Sequence, residues 1–156
     1  MGFGEDLEKI LSKLDNRGRN TCDMVAGIIR GIVKDIQRAI ALYSEAMTSF
    51  ELSDKDAHLL VIQAETTLPN RNKLRWLIDD VSKIVGDKVV TKVLPDKWLN
   101  ELSTDLEELE QLIKHRSDTL EVYMKANEIT NKWLIRYCDV HRRCAEMMSQ
   151  GGGSNG

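Results

Sequence analysis

Proline is nearly missing from this chain, with two residues in 156, and aromatics make up only 5%. With so few helix breakers and plentiful Leu, Ile, Glu and Lys, the composition favours helix over sheet. An excess of charge of one sign is lacking too. The 22 basic and 25 acidic residues leave a net of −3, so nothing marks a nucleic-acid-binding surface. At 42% hydrophobic residues the chain has too much apolar material to stay disordered. Its length suits one domain with a sizeable core.

Long apolar runs are absent as well. The best, over 24–33, is interrupted by Arg30 and closed by Lys34 and Asp35, far short of the roughly 20 residues a spanning helix needs. Gly2 follows Met1, but Asp6 stands where an N-myristoylation signal wants Ser or Thr. The N-terminus is acidic almost at once, at Glu5 and Asp6, where a secretory leader would carry a basic and then an apolar region. The three cysteines, Cys22, Cys138 and Cys144, are an odd and sparse set. The expectation is therefore a soluble protein of a reducing compartment, cytoplasmic or nuclear.

What is present is helical periodicity. Phe3, Leu7, Ile10, Leu11 and Leu14 give a short amphipathic helix over 3–14. A second helix, over 21–50, carries a 4-3 repeat: Val25, Ile29, Ile32, Ile36, Ala39, Tyr43, Ala46 and Phe50. Flanking Ile28, Val33, Ile40 and Met47 widen that stripe, which calls for at least two covering neighbours, as in a bundle. Gly27 and Gly31, one turn apart, offer room for another backbone. Ser53 opens a third helical stretch over 54–85, kinked at Pro69 into two segments, roughly 54–68 and 70–85, with Thr66 or Thr67 as a cap for the restart. The valines of 88–94 suit a helical turn or an extended connector, since an isolated strand has no partner.

After Pro95 no Pro or Gly occurs until residue 151. This favours one continuous helix over 96–148, roughly 80 Å long. The alternative is a turn at 115–118, where Ser117 or Asp118 would cap a new helix; Gly, Pro and Asn, the usual turn residues, are missing there. The glycine-rich stretch 150–156 reads as a flexible tail or a cloning remnant. The fold expected is all-α: an elongated antiparallel helical bundle of four to five helices, the last one long. A helix that long needs covering by the first helix or by a second copy of the chain.

Few residues suggest chemistry. Cys138, His141 and Cys144 are zinc-type ligands on neighbouring turns, but their spacing is not a standard finger. A fourth ligand would have to be Cys22, His58 or His115. The structural reading makes Cys144 a core residue and His141 partly exposed near a helix end, where its charge suits the dipole. Glu101, Asp105, Glu107, Glu108 and Glu110 alternate with leucines, the pattern of a solvated face. No di-iron Glu-x-x-His pair, nucleophile elbow, phosphate loop or dinucleotide fingerprint occurs. No catalytic residue and no cofactor is therefore expected. Basic residues cluster at Arg71, Lys73 and Arg75 without intervening acids.

The last helical stretch is acidic in its first third and basic near its end, at Arg136, Arg142 and Arg143. That polarity complements the helix dipole and would also favour antiparallel pairing of two such helices. Trp76, Trp98 and Trp133 sit at apolar helical positions as core anchors, with Trp98, just after Pro95, the one expected to be most exposed. Trp positions in long helices resemble those of spectrin-type repeats, but the length and the breaks at Pro69 and Pro95 depart from that pattern. The function expected is a non-enzymatic interaction or scaffold module, self-associating or binding another protein. Its candidate partner-binding residues are Trp98, Glu101, Asp105, Glu108, Arg136, Arg142 and Arg143. The alternative is a membrane-acting bundle that binds anionic lipid through an amphipathic or Gly-containing helix.

Overall fold

The computed structural model describes residues 16–154. Among these residues it contains six helices and no strand: α1 (Asn16–Thr48), α2 (Asp54–Thr67), α3 (Arg71–Val85), α4 (Asp87–Val93), α5 (Asp96–Lys114) and α6 (Thr119–Ser154). The all-α bundle with a long last helix is thus what the chain forms. The stretch 3–14 lies outside the described residues.

The wide stripe of α1 is buried as its spacing demands. Val25, Ile29, Ile32, Ile36, Ala39 and Tyr43 are each 1% exposed or less. Phe50, the last member of the expected repeat, falls past the helix end and is fully exposed. α1 packs most extensively against α6 on one side and α2 on the other. The α1–α6 pair is antiparallel, since Cys22 is joined to Cys144 at one end while Tyr43 meets Ser117 at the other. Gly27 and Gly31 do not act as a close-approach surface. A Cβ built at either glycine meets nothing within 4 Å among the described residues.

The 54–85 stretch is two helices. Leu68 turns extended ahead of Pro69, as the residue before a proline must. The new helix is capped by Asn70, whose Oδ1 accepts from the Lys73 N–H at 2.8 Å. Thr66 and Thr67, the expected caps, donate back to the Gln63 carbonyl. Ser53 does cap α2, its hydroxyl accepting from the Asp56 N–H at 3.1 Å. Gly86, at φ +100°, separates α3 from α4, a conformation open to glycine and strained for other residues. The valine-rich connector is the short helix α4, which buries Val90 and Val93.

The single helix expected over 96–148 does not form. The chain breaks at 115–118, and α5 and α6 fold into an antiparallel hairpin. The turn needs a left-handed residue, and Arg116 supplies it at φ 56°. Asp118 starts the new helix, its Oδ1 accepting from the Leu120 N–H at 3.3 Å. Two tyrosines fasten the turn to the end of α1: the buried Tyr43 hydroxyl donates to the Ser117 carbonyl, and the Tyr123 hydroxyl donates to Ser44 Oγ. Burial pushes the Tyr43 phenol above its ordinary pKa, so it remains the donor. At its other end α6 runs on to Ser154, so part of the glycine-rich stretch continues the helix rather than forming a free tail. Propagating an established helix needs no new nucleus, although each glycine costs roughly 1 kcal/mol against alanine.

The three cysteines resolve into one Cys22–Cys144 disulfide and one thiol, Cys138. The bond ties α1 to α6 across 122 residues, with Cα atoms 5.5 Å apart. Disulfides persist in oxidising surroundings, so the cysteine set no longer argues for a reducing compartment. No helix among the described residues is long and apolar enough to cross a membrane.

Two stability predictions follow from these links. Cys22→Ala/Cys144→Ala should lower stability by up to about 5 kcal/mol, the chain-entropy value for a loop this long. Denaturant melts with and without reductant measure it, and a wild type indifferent to reductant would contradict it. Left-handed backbone costs a non-glycine residue about 1–2 kcal/mol. Arg116→Gly should therefore be neutral or stabilising by up to about 1 kcal/mol, whereas Arg116→Val should destabilise. A loss for glycine as large as that for valine would contradict the turn.

Candidate functional site

The acids of α5 and the bases of α6 form one ladder along the hairpin seam. Glu108 accepts from Lys125 at 2.6 Å, and Asp105 from Lys132 at 2.8 Å. Glu101 takes both Lys132 at 2.7 Å and Arg136 at 2.9 Å. Of the carboxylates expected on a solvated face, Glu101 and Asp105 are partly covered against α6, whereas Glu108 reaches Lys125 while staying exposed. Glu107 remains exposed. The charge layout favours antiparallel pairing of two such helices; the acid-to-base pairing seen here is made within one chain, by the hairpin.

Beyond Glu101 the ladder becomes aromatic. The Arg136 guanidinium stacks 4.7 Å from the Trp98 ring centre and 4.9 Å from that of Trp133. The two indoles meet edge to face at 6.3 Å, and Arg143 lies 5.3 Å over Trp98. Asp139 holds Arg142 at 2.8 Å and Arg143 at 3.2 Å, and Glu146 also reaches Arg142, at 3.4 Å. The candidate partner-binding residues other than Arg142 therefore line this one seam, and each charged one, Arg142 included, has an opposite charge within the molecule. Two buried donors, Trp133 Nε1 and Arg136 Nη1, have no acceptor among the described residues.

Of the tryptophans, Trp133 is fully buried and Trp98 partly so, but Trp76 is 62% exposed. At 100° per residue Trp76 points away from Leu74 and Ile78, which face inward. Its expected role as a core anchor fails for that reason.

Cys138, His141 and Cys144 do not assemble into a metal centre. Cys144 is spent in the disulfide, and no group of three or more metal-ligating side chains occurs among the described residues. His141 is buried rather than partly exposed. Its Nε2 lies 3.1 Å from Asp23 Oδ1 on α1, within ion-pair range but outside hydrogen-bond geometry.

What periodicity alone did not reveal is the outer face of α6. Leu120, Met124, Leu134 and Ile135 are 64, 65, 44 and 69% exposed. Taken with the exposed Asn127 and Asn131 and the half-buried Cys138, they fill a sector about 100° wide. No charged residue enters that sector from 120 to 138. Positions 120, 124, 127, 131, 134 and 138 follow the alternating four-three spacing of a helix-pairing seam. Beside it, a groove of about 320 Å³ runs between Leu134 and Tyr137 of α6 and Arg30, Val33, Lys34 and Gln37 of α1. No protein-family model, characterised protein or solved structure matches this chain.

The seam sets a pH dependence. Hydrogen bonds from Lys132 and then Arg136 hold the Glu101 carboxyl below its ordinary 4.5. Asp105 first and Glu101 second raise Lys132 above 10.5, and Glu108 does the same for Lys125. A lowered carboxylate adds stability that is lost as pH falls through its folded value; a raised lysine adds stability that is lost as pH rises through its own. The seam therefore contributes fully between about pH 5 and pH 10. Glu101→Gln should cost about 1 kcal/mol or less at neutral pH, because the pairs are partly solvated. It should also reduce the fall in Tm between neutral and acid solution. An acid limb identical to that of the wild type would refute the assignment.

Proposed function

We propose that this chain is a non-enzymatic interaction module that works by pairing the outer face of α6 with another helix, that of a second copy included. The carrying observation is the uncharged four-three stripe on α6, exposed on a molecule in which 30% of residues are charged. An apolar stripe of this spacing suits knobs-into-holes packing, and an exposed apolar patch of this extent is unusual on a surface with no partner. The seam residues Trp98, Glu101, Asp105, Glu108, Arg136 and Arg143 then support the face from behind, by fixing α6 against α5, while Arg142 pairs with Asp139 and Glu146 along α6 itself. Arg30 and Lys34 on one flank, with Glu121 and Glu128 on the other, supply charges of opposite sign beside the stripe.

Light scattering over a concentration series tests this reading. A dimer should revert to the monomer mass in Met124→Glu/Leu134→Glu, with helicity and Tm unchanged because both side chains are exposed. If the chain is a monomer, the wild type should select amphipathic helices from a display library and the double variant should not. A dimer indifferent to these substitutions, or a monomer whose α6 face selects no helix, would overturn the proposal. Recovery with anionic vesicles that survives both substitutions would do so too.

A further inference from the structure

The two flanks of the α6 stripe carry opposite charge at nearly the same height. On the α1 side stand Arg30 and Lys34, and on the side nearer α5 stands Glu128, all three exposed. None of them makes an ion pair among the described residues. The Asp23–His141 and Ser44–Tyr123 contacts fix the height of α1 against α6. Counting between them places Lys34 about level with residue 132 of α6 and Arg30 about level with residue 135. The groove that both bases share with Leu134 and Tyr137 agrees with that height. Glu128 is thus about 6 Å along the axis from the Lys34 level, on the opposite flank.

Two ways of seating a second copy differ in what these flanks meet. A two-fold axis running along α6 makes the stripes parallel and sets the α1 flank of one copy against the α5 flank of the other, at unchanged height. Glu128 then faces Lys34 and Arg30 of the copy, twice over by symmetry. An axis across α6 makes the stripes antiparallel and sets each flank against itself. With the stripe over 120–138 centred on that axis, the two Glu128 carboxylates differ by only about 3 Å in height, like charge against like. The asparagines hold the register of the parallel arrangement. Asn131 shares its place in the four-three repeat with Met124 and Cys138, and an asparagine there, facing its own counterpart, fixes register and oligomer state. A slip of one heptad sets it against Met124 or Cys138 and leaves its amide without a partner.

We infer, resting on the pairing role proposed above, that the occupant of the α6 face is the same face of a second copy of this chain, packed parallel and in register. Leu120, Met124, Asn127, Asn131, Leu134 and Cys138 each meet their own counterpart across the axis. Charge complementarity carries the choice: flanks of opposite sign complement themselves only in the parallel arrangement. Cys138, the one cysteine outside the disulfide, reports on it. Parallel pairing brings the two thiols together. Antiparallel pairing sets each thiol against Leu120 and holds the two about 27 Å apart.

Oxidation of the Leu120→Cys variant, which retains Cys138, tests the orientation. At about 100 μM protein, oxidised glutathione converts each facing pair of thiols into a disulfide, taking up their two electrons and two protons to become two glutathione thiols. Peptide mapping should find 138–138 and 120–120 bonds between chains and no 120–138 bond. Adding Met124→Glu/Leu134→Glu should abolish both. In the unoxidised chain Glu128→Lys should weaken the dimer roughly threefold or more by light scattering, and Lys34→Glu added to it should recover most of the loss. A 120–138 bond, a dimer that gives neither bond, or one indifferent to Glu128→Lys would overturn the parallel pairing and leave the helix-pairing role standing. A monomer that selects foreign helices through α6 would do the same. Bonds that survive Met124→Glu/Leu134→Glu are collisional and would overturn both.

Discussion

The antiparallel pairing of α1 with α6 is the contact on which the rest of the molecule depends. The two helices have 33 and 36 residues, about 50 and 54 Å at 1.5 Å per residue, so each can cover the other almost end to end. They are tied at both extremes. Cys22–Cys144 and the Asp23–His141 contact hold one end, and the two tyrosine hydroxyls hold the other. Between them Val25, Ile29, Ile32 and Ile36 share a core with Ile129, Trp133 and Val140. The break at 115–118 makes this match possible. A helix unbroken from Asp96 onward would run well past anything α1 could cover, and would leave its apolar positions in water.

How much of this was legible in the sequence depends on whether the information was local. The α1 stripe is local, and its spacing alone placed Val25 through Tyr43 in the core. The bundle class followed from the width of that stripe. The 115–118 turn was hidden because its left-handed residue is Arg116, not the glycine or asparagine such a position usually takes. What compensates that strain comes from far along the chain, in the Tyr43 bond to the Ser117 carbonyl. Ser117 and Asp118 did mark the place, and the absence of a breaker outweighed them. The disulfide was beyond reach for the same reason: 122 residues separate its members, and only the α1–α6 pairing brings them together.

The candidate site shows a related difference between the sign of an interaction and its address. The acidic start and basic end of the 96–148 stretch suit antiparallel pairing of two such stretches, and the hairpin makes a pairing of that sign within one chain. Charge polarity cannot distinguish two copies of one helix from two halves of one hairpin, because the electrostatics are the same. The turn decides between them. It converts Glu101, Asp105 and Glu108 from candidates for binding a partner into the intrachain partners of Lys125, Lys132 and Arg136. Trp76 is the opposite case. Its exposure was available from the angle it makes with Leu74 and Ile78, and the general tendency of tryptophan to be buried masked it.

α6 therefore carries three separate faces. One packs against α1, one carries the charge and cation–π ladder to α5, and the third is the uncharged stripe from Leu120 to Cys138. A bundle helix needs the first two to fold; the third adds nothing to the core and raises the risk of association. Its composition also differs from that of the core faces. Asn127 and Asn131 interrupt the apolar positions, and asparagine in a pairing seam restricts register and oligomer state while lowering affinity. Leucine and methionine flanking two asparagines suit a contact made reversibly, in one register, by a molecule already stable without it. The clamp at both ends of the α1–α6 pair provides that independent stability. In the role proposed for it, the outer face would engage and release a helix while the core behind it stays closed.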